Sequence, residues 1–162
     1  MRKYLLILPL AFLGCSVSKT TTQVKEFAKC YVHQIPAPFW VCYQSSFLAV
    51  GKVYTDKVTR LKQEEAFSNG VAQLLKKLQS KTKILLTKLD IDDEERVKKI
   101  LESVKSFVII NAIQGKSWYS EKEKMLYVEV TIDKDEFKDY LYRQIDNGLD
   151  KKKFEIAFNE SF

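Results

Sequence analysis

The spacing of apolar residues changes along the chain, and each change marks an element. From about Lys57 to Leu89, Phe67, Val71, Leu74, Leu75, Leu78 and Leu85 recur at helical steps, with Lys62, Glu65, Lys76, Lys77 and Lys83 facing away from them. That period predicts a long amphipathic helix with one buried stripe. Ala66, Gly70 and Ala72 lie near the stripe. Glycine costs about 1 kcal/mol relative to alanine inside a helix, so Gly70 predicts a close approach to a sheet. An acidic first turn followed by Val97, Ile100, Leu101 and Val104 predicts a second helix from Asp92 to about Ser106. A short final helix is expected from Lys134 to about Asn147, with Asp133 as its cap, Phe137, Leu141 and Ile145 inward, and Gly148 just past its end.

Between the helical stretches lie runs rich in strand formers. Phe47 to Tyr54 reads as the first strand, and Gly51 inside it predicts a bulge or the close approach of another backbone. Phe107–Ile113 and Met125–Ile132, joined by the polar stretch Ser120–Lys124, read as an antiparallel hairpin with Gly115, Trp118 and Tyr119 on its first arm. The tail alternates, with Phe154, Ile156, Phe158 and Phe162 on one side, which predicts an extra edge strand or a docked arm. The fold class that follows is α+β. It has a β-α-β-β core, a long helix on one face of a small, mostly antiparallel sheet, and a short C-terminal helix and tail.

The first fourteen residues have a different pattern. Arg2 and Lys3 precede a nearly unbroken apolar run that closes in Phe12-Leu13-Gly14-Cys15. A cationic start and an apolar stretch too short to span a bilayer are the layout of a secretory signal. The ending resembles the lipobox of bacterial lipoproteins, with Phe12 where leucine is usual. The resemblance implies cleavage before Cys15, a diacylglycerol on its thiol and an acyl chain on its new amine. Ser16 after that cysteine implies delivery to the outer membrane. The expected division is therefore 1–14 signal peptide, 15–36 lipidated tether, 37–149 α+β domain and 150–162 apolar C-terminal arm. Pro36-Ala37-Pro38 stiffens the chain where the tether meets the domain.

Composition sharpens this picture. Ten Phe, eight Tyr and two Trp among 162 residues supply material for a real core. The net charge is +6, and residues 1–14 hold two of the 27 basic residues and none of the 21 acidic ones, leaving +4 for the rest. That excess is interspersed with acidic runs such as Asp90–Glu95, which describes a mixed solvated surface more simply than a polyanion-binding one. No nucleic-acid motif is present, and no nucleic-acid partner is expected. With Cys15 taken by lipid, Cys30 and Cys42 remain in an oxidising compartment. They are expected as a structural disulfide, with two free thiols or a redox pair as alternatives; the redox pair lacks the Cys-x-x-Cys spacing.

Candidate chemistry is sparse. His33 is the single histidine, set in the tether, and reads as a surface imidazole because no Cys or Asp cluster stands beside it. The Asp90–Glu95 run lacks the glycine and ligand spacing of a calcium loop and reads as a helix start. Gly-x-Ser-x-Gly and phosphate-cradling glycine loops are absent. Trp40 and Trp118 can stack on a ligand, but Trp at a strand end more often belongs to a core. No enzyme activity, metal or cofactor is expected.

Several features in order resemble the Lpp-twenty family of small bacterial lipoproteins, best known from Helicobacter and Campylobacter relatives. They are the lipobox, Pro38-Phe39-Trp40, Leu48-Ala49-Val50-Gly51, the long helix with small residues, and Gly115-Lys116-Ser117-Trp118 followed by Leu126-Tyr127-Val128-Glu129-Val130. The resemblance covers about residues 36–137. Phe39 stands where the family often has Asp, and the long helix is poorer in alanine than usual. The resemblance implies the β-α-β-β core, structural roles for Pro38, Trp40, Gly51, Gly115 and Trp118, and kinship with a surface antigen and with flagellar-disk lipoproteins.

Two functional readings follow. In the first, the chain is a non-enzymatic, lipid-anchored structural or assembly component of the outer membrane, flagellum-associated or a surface antigen. Its partners are the membrane, through its lipid, and copies of itself or other envelope proteins, met at a strand edge or the apolar tail. In the second, it is a periplasmic carrier or binding module for a lipid or small apolar ligand, which needs a cavity between helix and sheet.

Overall fold

The structure is a computed structural model that describes residues 29–43, 45–146 and 148–162. The signal segment and Cys15 lie outside the described residues. The fold is α+β, with two small antiparallel sheets and a long helix packed on the larger one.

The larger sheet has the order β3 (Leu48–Tyr54), β5 (Met125–Thr131), β4 (Ile113–Ser120), all neighbours antiparallel. Gly51 pairs with Val128, and Trp118 with Tyr127. One face carries Ala49, Gly51, Val53, Leu126, Val128 and Val130, and across it lies α2 (Arg60–Lys88). At 29 residues α2 is about 43 Å long. Its buried line runs Ala66, Gly70, Leu74, Leu78, Thr82 and Leu85, with Phe67, Val71 and Leu75 half-buried beside it, as the helical spacing predicts. Thr59 caps its start by accepting from the Lys62 N–H. At its end Asp90 takes a left-handed conformation (φ 59°), and the Ile91 N–H returns to the Leu86 carbonyl, a Schellman closure that turns the chain into α3.

Three expectations from the sequence are corrected. Residues 107–111 do not begin a strand but extend α3 (Glu94–Asn111). The buried series Ile100, Val104, Val108 keeps its four-residue step, and Phe107 packs on Tyr140 with ring centroids 4.5 Å apart. Packing outweighs the β-branched composition of this run, and Ile109 and Ile110 are left exposed. The tail is not an edge strand but helix α5 (Lys151–Ser161), in which Phe154, Ala157, Phe158 and Ser161 form the buried face while Ile156 points to solvent. Phe154 and Phe158 satisfy period two and period four alike, so the alternation was ambiguous. Finally, part of the expected tether is folded: β1 (Cys30–Val32) and β2 (Ile35–Ala37) form a hairpin.

The C-terminal helices complete the core. In α4 (Lys134–Ile145) Phe137, Leu141 and Ile145 are fully buried, and Asp133 caps it through the Asp135 and Glu136 N–H groups. Phe47, Phe137, Phe158 and Phe162 form one aromatic cluster, and Ser46 donates a hydrogen bond to the Phe162 carbonyl. Lys88–Glu160 and Lys153–Asp90 tie α5 to the end of α2. The Arg96 guanidinium donates to the Ile145 carbonyl at the C-terminus of α4, where a cation also suits the helix dipole.

Candidate functional site

The sheet face turned away from α2 carries Leu48, Val50, Lys52, Tyr127, Glu129 and Trp118, a mixture of aromatic and charged groups rather than an aliphatic floor. A small module of residues 30–43 attaches there. The β1–β2 hairpin turns on His33 and Gln34, both at positive φ (45° and 69°). Two-residue hairpin loops need that conformation; histidine adopts it more readily than glutamine, so Gln34 carries the greater local strain, about 1 kcal/mol or more. Two links hold it. Cys30 and Cys42 form a disulfide with Cα atoms 5.7 Å apart, fastening the hairpin to the one-turn helix α1 (Phe39–Cys42), which itself touches β5. At the turn, the His33 imidazole bonds the Glu123 carboxylate between β4 and β5. A carboxylate only accepts, so Nδ1 carries the proton.

Glu123 also accepts from the Tyr127 hydroxyl at 3.0 Å. Burial works to raise the Glu123 pKa, but the hydrogen bonds from His33 and Tyr127 and the His33 charge outweigh it, and the carboxyl is held below its ordinary range. Burial, then the bond to Glu123 and its negative charge, push the Tyr127 hydroxyl up to about 12. A phenol with that pKa is a hydrogen-bond donor at neutral pH, not a nucleophile. Trp118 lies against the Tyr127 ring (5.1 Å between centroids), and the Lys52 ammonium sits 5.4 Å from its centroid. The cluster is suited to fastening the hairpin rather than to reaction.

The residues singled out by sequence fall at joints of the fold. Pro38 caps α1 and Trp40 is its buried residue. Gly51 lies under α2. Gly115 sits in the bulge of β4, where Lys116 N–H donates to the Glu129 carboxylate at 3.2 Å and a side chain at Gly115 would collide with that carboxylate. Trp118 is half-buried on Tyr127. The structure brings Cys30 and Cys42 together and places Trp40 in the same module, but it gathers the set into no common pocket. Sequence reasoning missed the bond between His33 and Glu123: ninety positions separate them, and no local pattern announces the pairing.

A groove of about 520 Å³ opens between β3 and α2, lined by Lys52, Lys76, Lys77, Lys81, Val50 and Ile84 among others, with no acidic residue. In it the partly buried Lys77 ammonium donates to the Ser45 and Leu48 carbonyls, both at 2.7 Å. Burial pushes its pKa down. Among the described residues, no cluster of three or more His, Cys, Asp or Glu side chains can hold a metal ion, and no helix is long and apolar enough to cross a membrane. In comparisons with known proteins, no family model matches the chain and no curated protein matches it.

Proposed function

We propose that the chain is a non-enzymatic, lipid-anchored envelope protein, attached to the outer membrane through Cys15, whose folded part is a structural or assembly component. The lipobox-like Phe12-Leu13-Gly14-Cys15 supports the anchor, and the ordered motifs from Pro38 to Val130 support kinship with the Lpp-twenty lipoproteins. The observation that carries the assembly half is a closed interior beside an open sheet. Leu74, Leu78 and Leu85 are fully buried and the α2–sheet contact narrows to glycine on glycine, while among the described residues β3 and β4 are the outer strands of the sheet. A strand edge is a ready surface for pairing with another chain.

The tail offers no such surface, because α5 buries Phe154 and Phe158 in the core. A carrier of a small apolar ligand needs an apolar cavity between helix and sheet; the backbones meet at Gly51–Gly70, and the groove that opens beside that contact is lined by four lysines. The test is a pull-down of the native protein from crosslinked envelopes, with Cys15→Ala as control. Defined envelope-machine components recovered only with the native chain support assembly. Recovery of phospholipid or a small molecule alone sinks it.

A further inference from the structure

The outer edge of β3 is only partly covered. Ile132 N–H donates to the Phe47 carbonyl, while side chains of α2 reach the Leu48 and Lys52 carbonyls from the far side. In an antiparallel ladder residues alternate between facing the partner and facing away, so Leu48, Val50 and Lys52 turn their backbone groups away from β5. Asn69, Gln73 and Lys77 stand at four-residue steps along α2, one above another. The first caps the Lys52 carbonyl at 3.0 Å and the third caps Leu48 at 2.7 Å. The middle member, Gln73, lines the groove beside Val50, whose outward N–H and C=O lie between the two capped carbonyls.

Charge defines what belongs in this opening. Lys52, Lys76, Lys77 and Lys81 line it, none makes an ion pair among the described residues, and no Asp or Glu is in the lining. Lys77 is the most constrained of them. Its ammonium is partly buried and answered by two carbonyl dipoles rather than a countercharge, and one of its three N–H donors remains. An anion reaching that donor would add a charge-assisted hydrogen bond.

We propose that this groove binds an extended acidic segment of a partner protein, with its carboxylates on Lys52, Lys76, Lys77 and Lys81 and a single backbone pairing at Val50. Pairing is confined to that residue because Asn69 and Lys77 already hold the flanking carbonyls. The lining follows one face of α2 from Gln73 to Ile84 and takes in Val41 and Tyr43 at the α1 side, which suits an extended chain, and an alternating acidic-apolar segment places apolar side chains on Val50 and Ile84. The proposal names a partner chemistry for the assembly reading and rests on that reading for where the partner resides.

The test is fluorescence anisotropy with the full chain in detergent and a labelled peptide of alternating Glu and Val, against the same peptide with Lys for Glu. The acidic peptide is expected to bind about tenfold tighter or more, and Lys76→Glu with Lys81→Glu to weaken it about tenfold. Val50→Pro removes one outward N–H without touching the ladder to β5, and is expected to weaken binding with circular dichroism unchanged. Equal affinity for the two peptides, or affinity indifferent to the lysine reversals, overturns the proposal. Binding to phosphatidylglycerol vesicles in place of the acidic peptide also overturns it, in favour of a membrane surface. Envelope partners recovered in the pull-down while the peptide fails remove the groove alone; peptide binding beside an empty pull-down removes the assembly reading alone.

Discussion

Gly51 on β3 and Gly70 on α2 face each other so closely that neither position has room for a methyl group. A Cβ at Gly51 would run into the Ala66 carbonyl and lie 2.7 Å from the Gly70 nitrogen; one at Gly70 would strike the Val130 side chain and lie 3.0 Å from the Gly51 nitrogen. Backbone on both sides leaves nothing flexible to give way at Gly51. Gly51→Ala is therefore expected to cost about 3 kcal/mol or more, by forcing α2 off the sheet. Gly70→Ala is expected to cost less, because alanine recovers about 1 kcal/mol of helix propensity and its closest collision is with a Val130 methyl rather than with backbone. Urea unfolding of the two variants gives the order directly, and equal or negligible losses contradict the packing described.

The hairpin's attachment depends on pH through Glu123. Its carboxyl is held below the ordinary value near 4.5, so the folded form binds its proton less readily than the unfolded form. The stabilisation is complete above that ordinary value and is lost as pH falls through the depressed one. Acid titration followed by tryptophan fluorescence, with Trp118 next to Tyr127 as a reporter, is expected to show a transition below pH 4.5 that Glu123→Gln abolishes. An unchanged transition in that variant contradicts the link.

Gly115 and Glu129 are expected to be coupled. Gly115→Ala displaces the Glu129 carboxylate from the Lys116 N–H, at a cost of about 1 kcal/mol, since a side chain can move where a backbone cannot. In a Glu129→Ala background the same substitution is expected to be nearly neutral. A double-mutant cycle by thermal unfolding measures the difference, and additive losses contradict the coupling.

The C-terminal helix belongs to the core. Phe158 is fully buried and stacks on Phe162, and its replacement by alanine is expected to cost about 3–5 kcal/mol, as for any large core aromatic. Denaturant unfolding checks it; a loss below about 1 kcal/mol contradicts the buried position and restores a free arm.

What sequence could reveal here follows the range of the signal. The stripe of α2, the capping of α4 by Asp133 and the tight packing at Gly51 and Gly70 were legible because each is local: a period, a cap, a missing side chain. Residues 107–111 and the tail misled because Val108-Ile109-Ile110 and Phe154-x-Ile156-x-Phe158 have strand-like composition, and only tertiary contacts with Tyr140, Phe47 and Phe137 decide for helix. The bond between His33 and Glu123 and the seating of Lys77 on the Ser45 and Leu48 carbonyls join distant positions, and neither leaves a mark in its neighbourhood. The joints of the fold were therefore readable and the charged surfaces were not.

The central claim is attachment to the envelope through Cys15, and the intact mass of the native protein extracted from membranes tests it most directly. The account predicts a chain beginning at Cys15 and carrying a diacylglycerol and an acyl group, with Cys15→Ala keeping residues 1–14 and no lipid. A native chain that retains Met1 without lipid would contradict it.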